Sequence, residues 1–304
     1  MRVLVTGASG FVGRALVPAL SAAGHGVRAA LRDPRAAIFS PDVDVASYDA
    51  EMDHEALLAL VRACDAIVHL AGIAHVGPGI PEEAYDRINH RATVRLARAA
   101  QAAGVKRFVF VSSIRAQSGP SSDRVLTEDD PPRPTDAYGR SKLAAENALR
   151  ASDLPCVILR PVLIYGPGVK GNFAALARLA ALPIPLPLAG LTKPRSLLAL
   201  ENFIQALLFS LDAPTAPSRT FIVSDATPLS VAQILAALRR GMGRRAGLIG
   251  VPPSLMRTAL GVLGRSVMLD RLNGQLVADS ARLRSAGWKQ TVETEAALEH
   301  FRAI

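Results

Sequence analysis

Aromatic residues are scarce in this chain, at 5% of 304 residues, with one Trp, four Tyr and nine Phe. A nucleic-acid surface built on base stacking needs more of them, so binding to nucleic acid is not expected. Cysteine is scarcer still. Cys64 and Cys156 stand apart with no CxxC spacing and no histidine-rich neighbour. That excludes a disulfide framework and a thiolate metal site, and implies two reduced core thiols in a cytoplasmic protein. No uninterrupted apolar run reaches the roughly 20 residues of a membrane helix. The most apolar stretch, Leu176 to Leu191, is broken by Pro183, Pro185 and Pro187, so no membrane insertion is expected. The first residues run straight into an apolar strand pattern, Met1–Val5, which argues against a signal peptide. Internal repeats and low-complexity tails are absent.

Acid is also in deficit, with 26 Asp and Glu against 35 Lys and Arg, a net charge of +9. Nucleic acid, an anionic membrane surface or a phosphorylated small molecule could each answer that excess. The arginines are scattered along most of the expected helices, and this favours a small anionic substrate.

What the chain has in quantity is apolar residues, half of the total, and a regular alternation of element types. Short apolar runs at Arg2–Thr6, Val27–Leu31, Ala66–Leu70, Arg107–Ser112 and Cys156–Arg160 read as strands. Helical patterns fill Val12–Ala23, His54–Arg62, Pro81–Ala103 and Asp136–Ser152. A β-α repeat of this kind predicts an α/β fold, a doubly wound parallel sheet with helices on both faces and its ligand edge at the strands' carboxyl ends. After Pro161 the rhythm changes. Prolines and glycines crowd Pro161–Pro194, followed by a helix at Glu201–Leu211, a strand at Thr220–Val223, and helices at Ser230–Arg240 and Pro252–Leu263. The expected division is a dinucleotide-binding domain over 1–162, to which 195–226 partly returns, and a smaller, mostly helical C-terminal substrate lobe from 163–194 and 227–304. Ser118–Asp136, rich in Ser, Asp and Pro, reads as a mobile loop beside the site.

Thr6-Gly7-Ala-Ser9-Gly10-Phe11-Val12-Gly13 follows a strand and opens a helix. In that frame Gly7 permits a tight turn, Gly10 lets backbone N–H groups approach a pyrophosphate, and Gly13 allows close helix–strand packing. Ser9, Phe11 and Val12 are the other expected cofactor contacts of the turn. At the tip of the second strand the chain reads Leu31-Arg32-Asp33-Pro34-Arg35. An acid there binds a ribose 2′-OH and an arginine a 2′-phosphate, so Arg32 leans the NAD(P) choice toward NADP(H). A solvated Arg-Asp-Pro-Arg turn is the other reading, and it leaves the choice open. Asp49 after the third strand is a candidate for the adenine amino group. Leu70, Ala71 and Gly72 close the fourth strand with residues small enough for a cofactor to lie on the backbone.

Ser113 ends an apolar strand, and Tyr138 and Lys142 lie four residues apart on one helix face. There an ammonium can favour a phenolate, and the serine can bond the oxygen that the tyrosine protonates. A solvated Tyr and Lys on a helix is the commoner meaning of that spacing alone.

Taken together, these residues resemble the extended class of the short-chain dehydrogenase/reductase superfamily, with its Rossmann domain, over essentially the whole chain. Thr6–Gly13 is similar to its T-G-x-x-G-x-x-G loop, Tyr138–Lys142 to its Y-x-x-x-K, Ser113 to its catalytic Ser/Thr and Asn89 to its supporting helix asparagine. Arg160–Phe173, Lys193–Asn202 and Leu269–Gly274 look like the substrate half of enzymes acting on UDP-sugars. Within them, the resemblance is strongest to reductases of UDP-4-keto-6-deoxy-N-acetylhexosamines (the UDP-N-acetylquinovosamine branch). By that likeness Asn172, Arg195 and Arg271 bind the sugar diphosphate, and Ser113 touches the substrate as well. The helices Pro81–Ala103 and Asp136–Ser152 would then pair in a homodimer. Ala199 and Glu201 depart from the group's usual Tyr and Asp. Ile114-Arg115-Ala116-Gln117 lacks the Asp-Glu pair with which dehydratases of the class remove water, so dehydration is disfavoured.

The resemblance implies hydride transfer at C4 of a nucleotide-linked sugar, with Tyr138 as general acid or base, Lys142 lowering its pKa and Ser113 bonding the reacting oxygen. A reductase with exchangeable NADPH is the leading expectation. A UDP-sugar 4-epimerase with tightly held NAD is the alternative, and a non-catalytic NADP-sensing protein is more remote.

Overall fold

The computed structural model describes residues 1–74, 79–212, 219–252 and 273–301. In chain order its strands are β1 (Arg2–Thr6), β2 (Gly26–Leu31), β3 (Asp44–Ser47), β4 (Ala66–His69), β5 (Arg107–Val111), β6 (Cys156–Pro161), β7 (Leu163–Tyr165), β8 (Pro194–Arg195), β9 (Leu197–Ala199), β10 (Arg219–Val223) and β11 (Leu229–Ser230). The helices are α1 (Phe11–Ala22), α2 (His54–Val61), α3 (Glu82–Tyr85), α4 (Ala92–Ala102), α5 (Ala137–Arg150), α6 (Gly171–Ala180), α7 (Leu200–Asp212), α8 (Val231–Gly241), α9 (Ala281–Ser285) and α10 (Thr294–His300).

Strand alternation builds two cores. Val3 and Val5 of β1, Val109 of β5 and Leu159 of β6 face one side, where α1 and α7 cover them. Leu4, Phe108, Phe110 and Ile158 point the other way and pack with α2, α4 and α5. The seven-stranded sheet runs β10-β6-β5-β4-β1-β2-β3 with every pairing parallel. The doubly wound α/β expectation is met, and the order reverses between β1 and β4. That reversal opens a crevice at the strands' carboxyl ends. The edge strand β3 exposes three of its four residues, so it presents no apolar run to a reader of the sequence.

Helix starts follow their caps. Asp53 accepts from Ala56 N at 2.8 Å to begin α2, and Asp136 accepts from Gly139 N at 2.7 Å to begin α5. Ser230 and Gln233 form a reciprocal capping box on α8. The long pattern Pro81–Ala103 becomes one helical path interrupted by a π-helical stretch, Asp86–Arg91, which carries Asn89.

The second half joins the sheet through β10, which pairs with β6. The remainder gathers around Tyr165, Phe173, Leu235, Leu238, Leu298 and Phe301. It is less purely helical than expected, because β7 pairs with β9 and β8 with β11. These strands are two or three residues long and set among prolines and glycines, too short to show alternation. Asn202, buried on α7, donates to Asp225 Oδ1 and accepts from the N–H groups of Thr291 and Val292, tying the C-terminal segment to the main domain.

Ser118–Asp136, expected as a mobile loop, is fastened along its length. Leu126 N donates to Val277 O, Ser122 N to Gln275 O, and the Gln117 side-chain amide to the carbonyls of Thr127 and Asp130. Its polar composition serves these backbone bonds. The helix expected at Pro252–Leu263 lies outside the described residues.

Candidate active site

At the carboxyl end of β1 the chain turns through Gly7, whose φ is +69°. A Cβ on Gly7 would stand 2.8 Å from Ala71 N, and one on Gly13 2.5 Å from Gly7 O. Both are impossible contacts, so β1, α1 and the end of β4 approach as closely as they do only because these positions are glycine. Gly10 caps α1 without a side-chain bond, and no acid stands in the helix's first turn. The opening N–H groups of such a helix have no intrahelical partner and carry the positive end of its dipole. Ser9, Phe11 and Val12 flank them. A dinucleotide's pyrophosphate fits this turn by charge, by donors and by the space the missing Cβ atoms leave.

Under the turn runs a buried polar chain that the sequence did not announce. Thr6 Oγ1 bonds His69 Nδ1 at 2.7 Å, and His69 Nε2 bonds Thr93 Oγ1 at 3.0 Å. Thr93 gives its only proton to Asn89 O at 2.7 Å. The imidazole must therefore donate from Nε2 and accept at Nδ1, which fixes the neutral tautomer. Burial, with the Lys142 charge behind it, pushes the His69 pKa down to about 3. Asn89 continues the chain: Oδ1 accepts from Ile73 N at 2.8 Å, while Nδ2 donates to Ile73 O and to Ser141 Oγ, both at 3.1 Å. The loop after β4, with Leu70, Ala71 and Gly72, is thereby pinned to α5. A Cβ on Gly72 would lie 2.7 Å from Asn89 Oδ1 and 3.5 Å from Lys142 Nζ. The end of the crevice and the Tyr/Lys helix are thus in contact.

Ser113, Tyr138 and Lys142 come together beside that contact. All three are buried. Ser113 is extended (φ −162°, ψ 153°) and caps the short turn Ile114–Ala116, accepting from Arg115 N at 3.2 Å. Its hydroxyl stands close enough to the Tyr138 phenol to act on it. Burial raises the Tyr138 pKa above the ordinary phenol value, and the Ser113 hydroxyl is the largest influence drawing it back. Arg115, whose guanidinium pairs with Asp136, adds a smaller lowering. Lys142 Nζ donates to Val111 O at 2.9 Å and lies 4.8 Å from the Phe110 ring centroid. Desolvation brings its pKa down to about 8, against the opposing pull of Glu146. Lys142 is the residue expected to favour the phenolate; among the influences on Tyr138, the Ser113 hydroxyl is the largest that lowers its pKa.

The other expected contacts are more dispersed. Arg32 is exposed at the tip of β2, while Asp33 Oδ1 accepts from Arg35 N at 3.1 Å and its Nε at 3.0 Å, spending the acid on its own turn. Asp49 is exposed after β3 and accepts from Glu51 N at 2.8 Å. Asn172 is exposed in the first turn of α6, a helix whose start has no side-chain cap. Arg195 on β8 donates to Pro120 O at 3.3 Å, and burial and the nearby Arg115 charge hold its pKa below the ordinary guanidinium value. Arg271 lies outside the described residues. Behind Ser113, unnoticed in the sequence, Glu146 and Arg160 form an ion pair whose side chains are 0% and 2% exposed. A glutamate on the buried face of α5, one turn after Lys142, was the available signal.

The family described as NAD dependent epimerase/dehydratase matches residues 3–223. A Vibrio cholerae UDP-glucose 4-epimerase is 35% identical over 301 residues, covering 94% of this chain and 90% of that one. A Streptomyces 3-diazoavenalumate denitrifying reductase is 33% identical over 309 residues, 96% of each chain. Among solved structures, MoeE5 in complex with UDP-glucose and NAD superposes with a TM-score of 0.74 at 27% identity, over 98% of this chain and 96% of that one. Among the described residues, no helix is long and apolar enough to cross a membrane.

Proposed function

The chain belongs to the NAD dependent epimerase/dehydratase family, and from that premise we propose that it carries out oxidation and reduction at C4 of a UDP-linked sugar, as a 4-epimerase holding NAD. The observation that carries this reading is the buried Ser113–Tyr138 pair next to the Gly7–Gly72 cradle. The UDP-glucose 4-epimerase similarity over nearly the full chain supports the substrate and the reaction type, and the MoeE5 complex supports NAD. Relatives of similar identity bear the names of enzymes acting on quite different molecules, so the sugar nucleotide rests on this chain's Asn172 and Arg195, whose amide and guanidinium suit a diphosphate.

NAD, when bound, supplies the hydride acceptor for the C4 carbon. Tyr138 moves the proton. As phenolate it takes the proton from the C4 alcohol, and as phenol it returns that proton to the 4-keto oxygen; burial opposes the phenolate and the Ser113 hydroxyl favours it. With substrate bound, the single Ser113 proton turns from the phenol to the reacting oxygen. Lys142, with a pKa of about 8, keeps its positive charge at neutral pH at the floor of the crevice beside Gly72. With Ile114 and Arg115 after Ser113, no acid–base pair is at hand to expel water, which supports a reaction that leaves the sugar's atoms in place.

Purified protein should carry NAD in near-stoichiometric amount and interconvert a UDP-hexose with its C4 epimer, without net consumption of reduced cofactor. A Tyr138→Phe variant should lose about 10²–10⁴-fold of turnover. The reductase of UDP-4-keto-6-deoxy-N-acetylhexosamines is the second reading, supported by exposed Arg32, whose guanidinium suits a 2′-phosphate. Stoichiometric oxidation of NADPH by such a sugar, with no epimer formed, decides for it. Neither activity across a panel of UDP-sugars removes both. The homodimer belongs to the same reading, and a monomer by light scattering at micromolar concentration overturns it.

A further inference from the structure

Glu146 is a carboxylate with every lone-pair direction in use, buried directly behind the Ser113–Tyr138 pair. Its Oε1 accepts from Ser112 Oγ at 2.5 Å and from Arg160 Nε at 2.9 Å. Its Oε2 accepts from Arg160 Nη2 at 2.5 Å and from Arg150 Nη2 at 2.6 Å. The remaining Arg160 nitrogen, Nη1, donates to Gln117 Oε1, and Gln117 Nε2 donates to the carbonyls of Thr127 and Asp130 at 2.8 Å each. A fully satisfied buried network of this kind fixes geometry more than it adds stability.

What it fixes is specific. Tyr138, Lys142 and Glu146 follow one another at four-residue intervals and share one face of α5. Ser112 and Gln117 bracket the segment that contains Ser113. One end of that segment is held by Glu146, the other by Arg160. The ion pair therefore joins the helix carrying the tyrosine to both ends of the turn carrying the serine. We propose that Glu146 and Arg160, acting through Ser112 and Gln117, are positioning residues that set the Ser113 hydroxyl against the Tyr138 phenol. The inference deepens the function proposed above and takes the catalytic pair from it, but the geometry it invokes is measurable without any substrate. The Glu146 charge has a second effect on the same face, since it favours the protonated form of Lys142.

The test is the titration of Tyr138 in the full-length protein, read as the ultraviolet difference between each background and the same background carrying Tyr138→Phe. The backgrounds are the native chain, Ser112→Ala, Gln117→Met and Glu146→Gln. Ser112→Ala and Gln117→Met remove one anchor each and leave the ion pair in place. They should retain the native circular dichroism spectrum while the Tyr138 titration moves upward by about one pH unit, because the Ser113 hydroxyl that holds it down is displaced. Glu146→Gln should move it at least as far, and restoring an acid as Glu146→Asp should return part of the shift. If the enzyme turns over a UDP-sugar, the two mild variants should lower kcat about tenfold with KM within a factor of about two or three, the pattern of misalignment and not of lost binding. Folded Ser112→Ala and Gln117→Met proteins with an unmoved Tyr138 titration overturn the proposal, whatever the substrate is. A chain that turns over no UDP-sugar yet shows the shifts overturns the substrate reading alone.

Discussion

Asn89 and Ile73 are joined by two hydrogen bonds, Ile73 N to Asn89 Oδ1 at 2.8 Å and Asn89 Nδ2 to Ile73 O at 3.1 Å. The side-chain amide thus replaces a strand neighbour for the residue that follows Gly72, and its second Nδ2 proton reaches Ser141 on α5. An asparagine is the shortest side chain that offers both a donor and an acceptor in this geometry. Asn89→Asp keeps the shape but turns the donating end into an acceptor facing Ile73 O. We expect a loss of about 1–3 kcal/mol of stability, the cost of leaving a buried group unpaired, together with weaker NAD binding. Isothermal titration and thermal melts of the variant check both, and native values in each would show that the loop is held by other means.

Gly13 separates crowding from backbone strain. Its φ lies outside the left-handed region, yet an added Cβ would meet Gly7 O and Ala8 Cα at 2.5 and 2.6 Å. Gly24 is the converse, with φ +81° and nothing within 4 Å of its Cβ position. Gly13→Ala should therefore push α1 away from the turn, costing about 1–3 kcal/mol and at least tenfold in dinucleotide affinity. Gly24→Ala should cost about 1 kcal/mol and leave affinity unchanged. Equal affinities in the two variants would contradict the close-approach role assigned to Gly13.

The sheet was legible because its buried strands are short apolar runs that recur between helical patterns. Val3, Leu4 and Val5 already divide two cores, and the glycine turn identified the crevice end of the fold. β3 was placed only by its position before Asp49, because an edge strand with three exposed residues presents no apolar run, and β7, β8, β9 and β11 are too short to present one. In the site, Ser113, Tyr138 and Lys142 were read from spacing and resemblance. Their partners were not, because a buried polar group is satisfied by whatever the fold brings near it. Ser112 and Glu146 are 34 residues apart, and Thr6 and His69 are 63. The resemblance implies that Arg195 binds a diphosphate, and the packed loop shows that its guanidinium also donates to Pro120 O.

Lys142 should trade stability for function. Desolvation lowers its pKa from 10.5 to about 8, so the folded chain binds that proton less well than the unfolded chain does. The unfolded state then holds more protons between pH 8 and 10.5, and this residue's contribution to stability rises across that window. At pH 7 the charge is present and costs the fold free energy. Lys142→Met, which keeps the length and drops the charge, should be more stable at pH 7 by about 1–2 kcal/mol after the lost Val111 bond is subtracted, while turnover falls by 10²-fold or more on the order of general acid–base effects. In the native enzyme, kcat should decline as pH rises through about 8. A melting temperature lowered by the substitution, or a flat rate profile through that pH, contradicts the assignment.

His69 sets the acid limit of the fold. Burial holds its folded pKa near 3, against 6.5 for an ordinary histidine, so the native imidazole stays neutral while the unfolded one takes a proton as pH falls below 6.5. The unfolded state binds more protons throughout pH 3–6.5, and the stability that the neutral ring supplies is lost as the solution is acidified, by up to about 1.4 kcal/mol per pH unit. Asp225 works against this. Its carboxyl, raised to about 6 by burial, binds a proton more readily in the folded chain, so acidification from pH 6 to 3.8 favours the fold at that residue. The histidine's displacement is the larger, and the net slope should be destabilising. His69→Gln, which keeps a polar side chain between Thr6 and Thr93, should be less stable than the native chain at pH 7 and lose less on going to pH 4.5. Chemical denaturation at the two pH values measures the difference directly, and parallel losses in both proteins would mean that another group sets the limit.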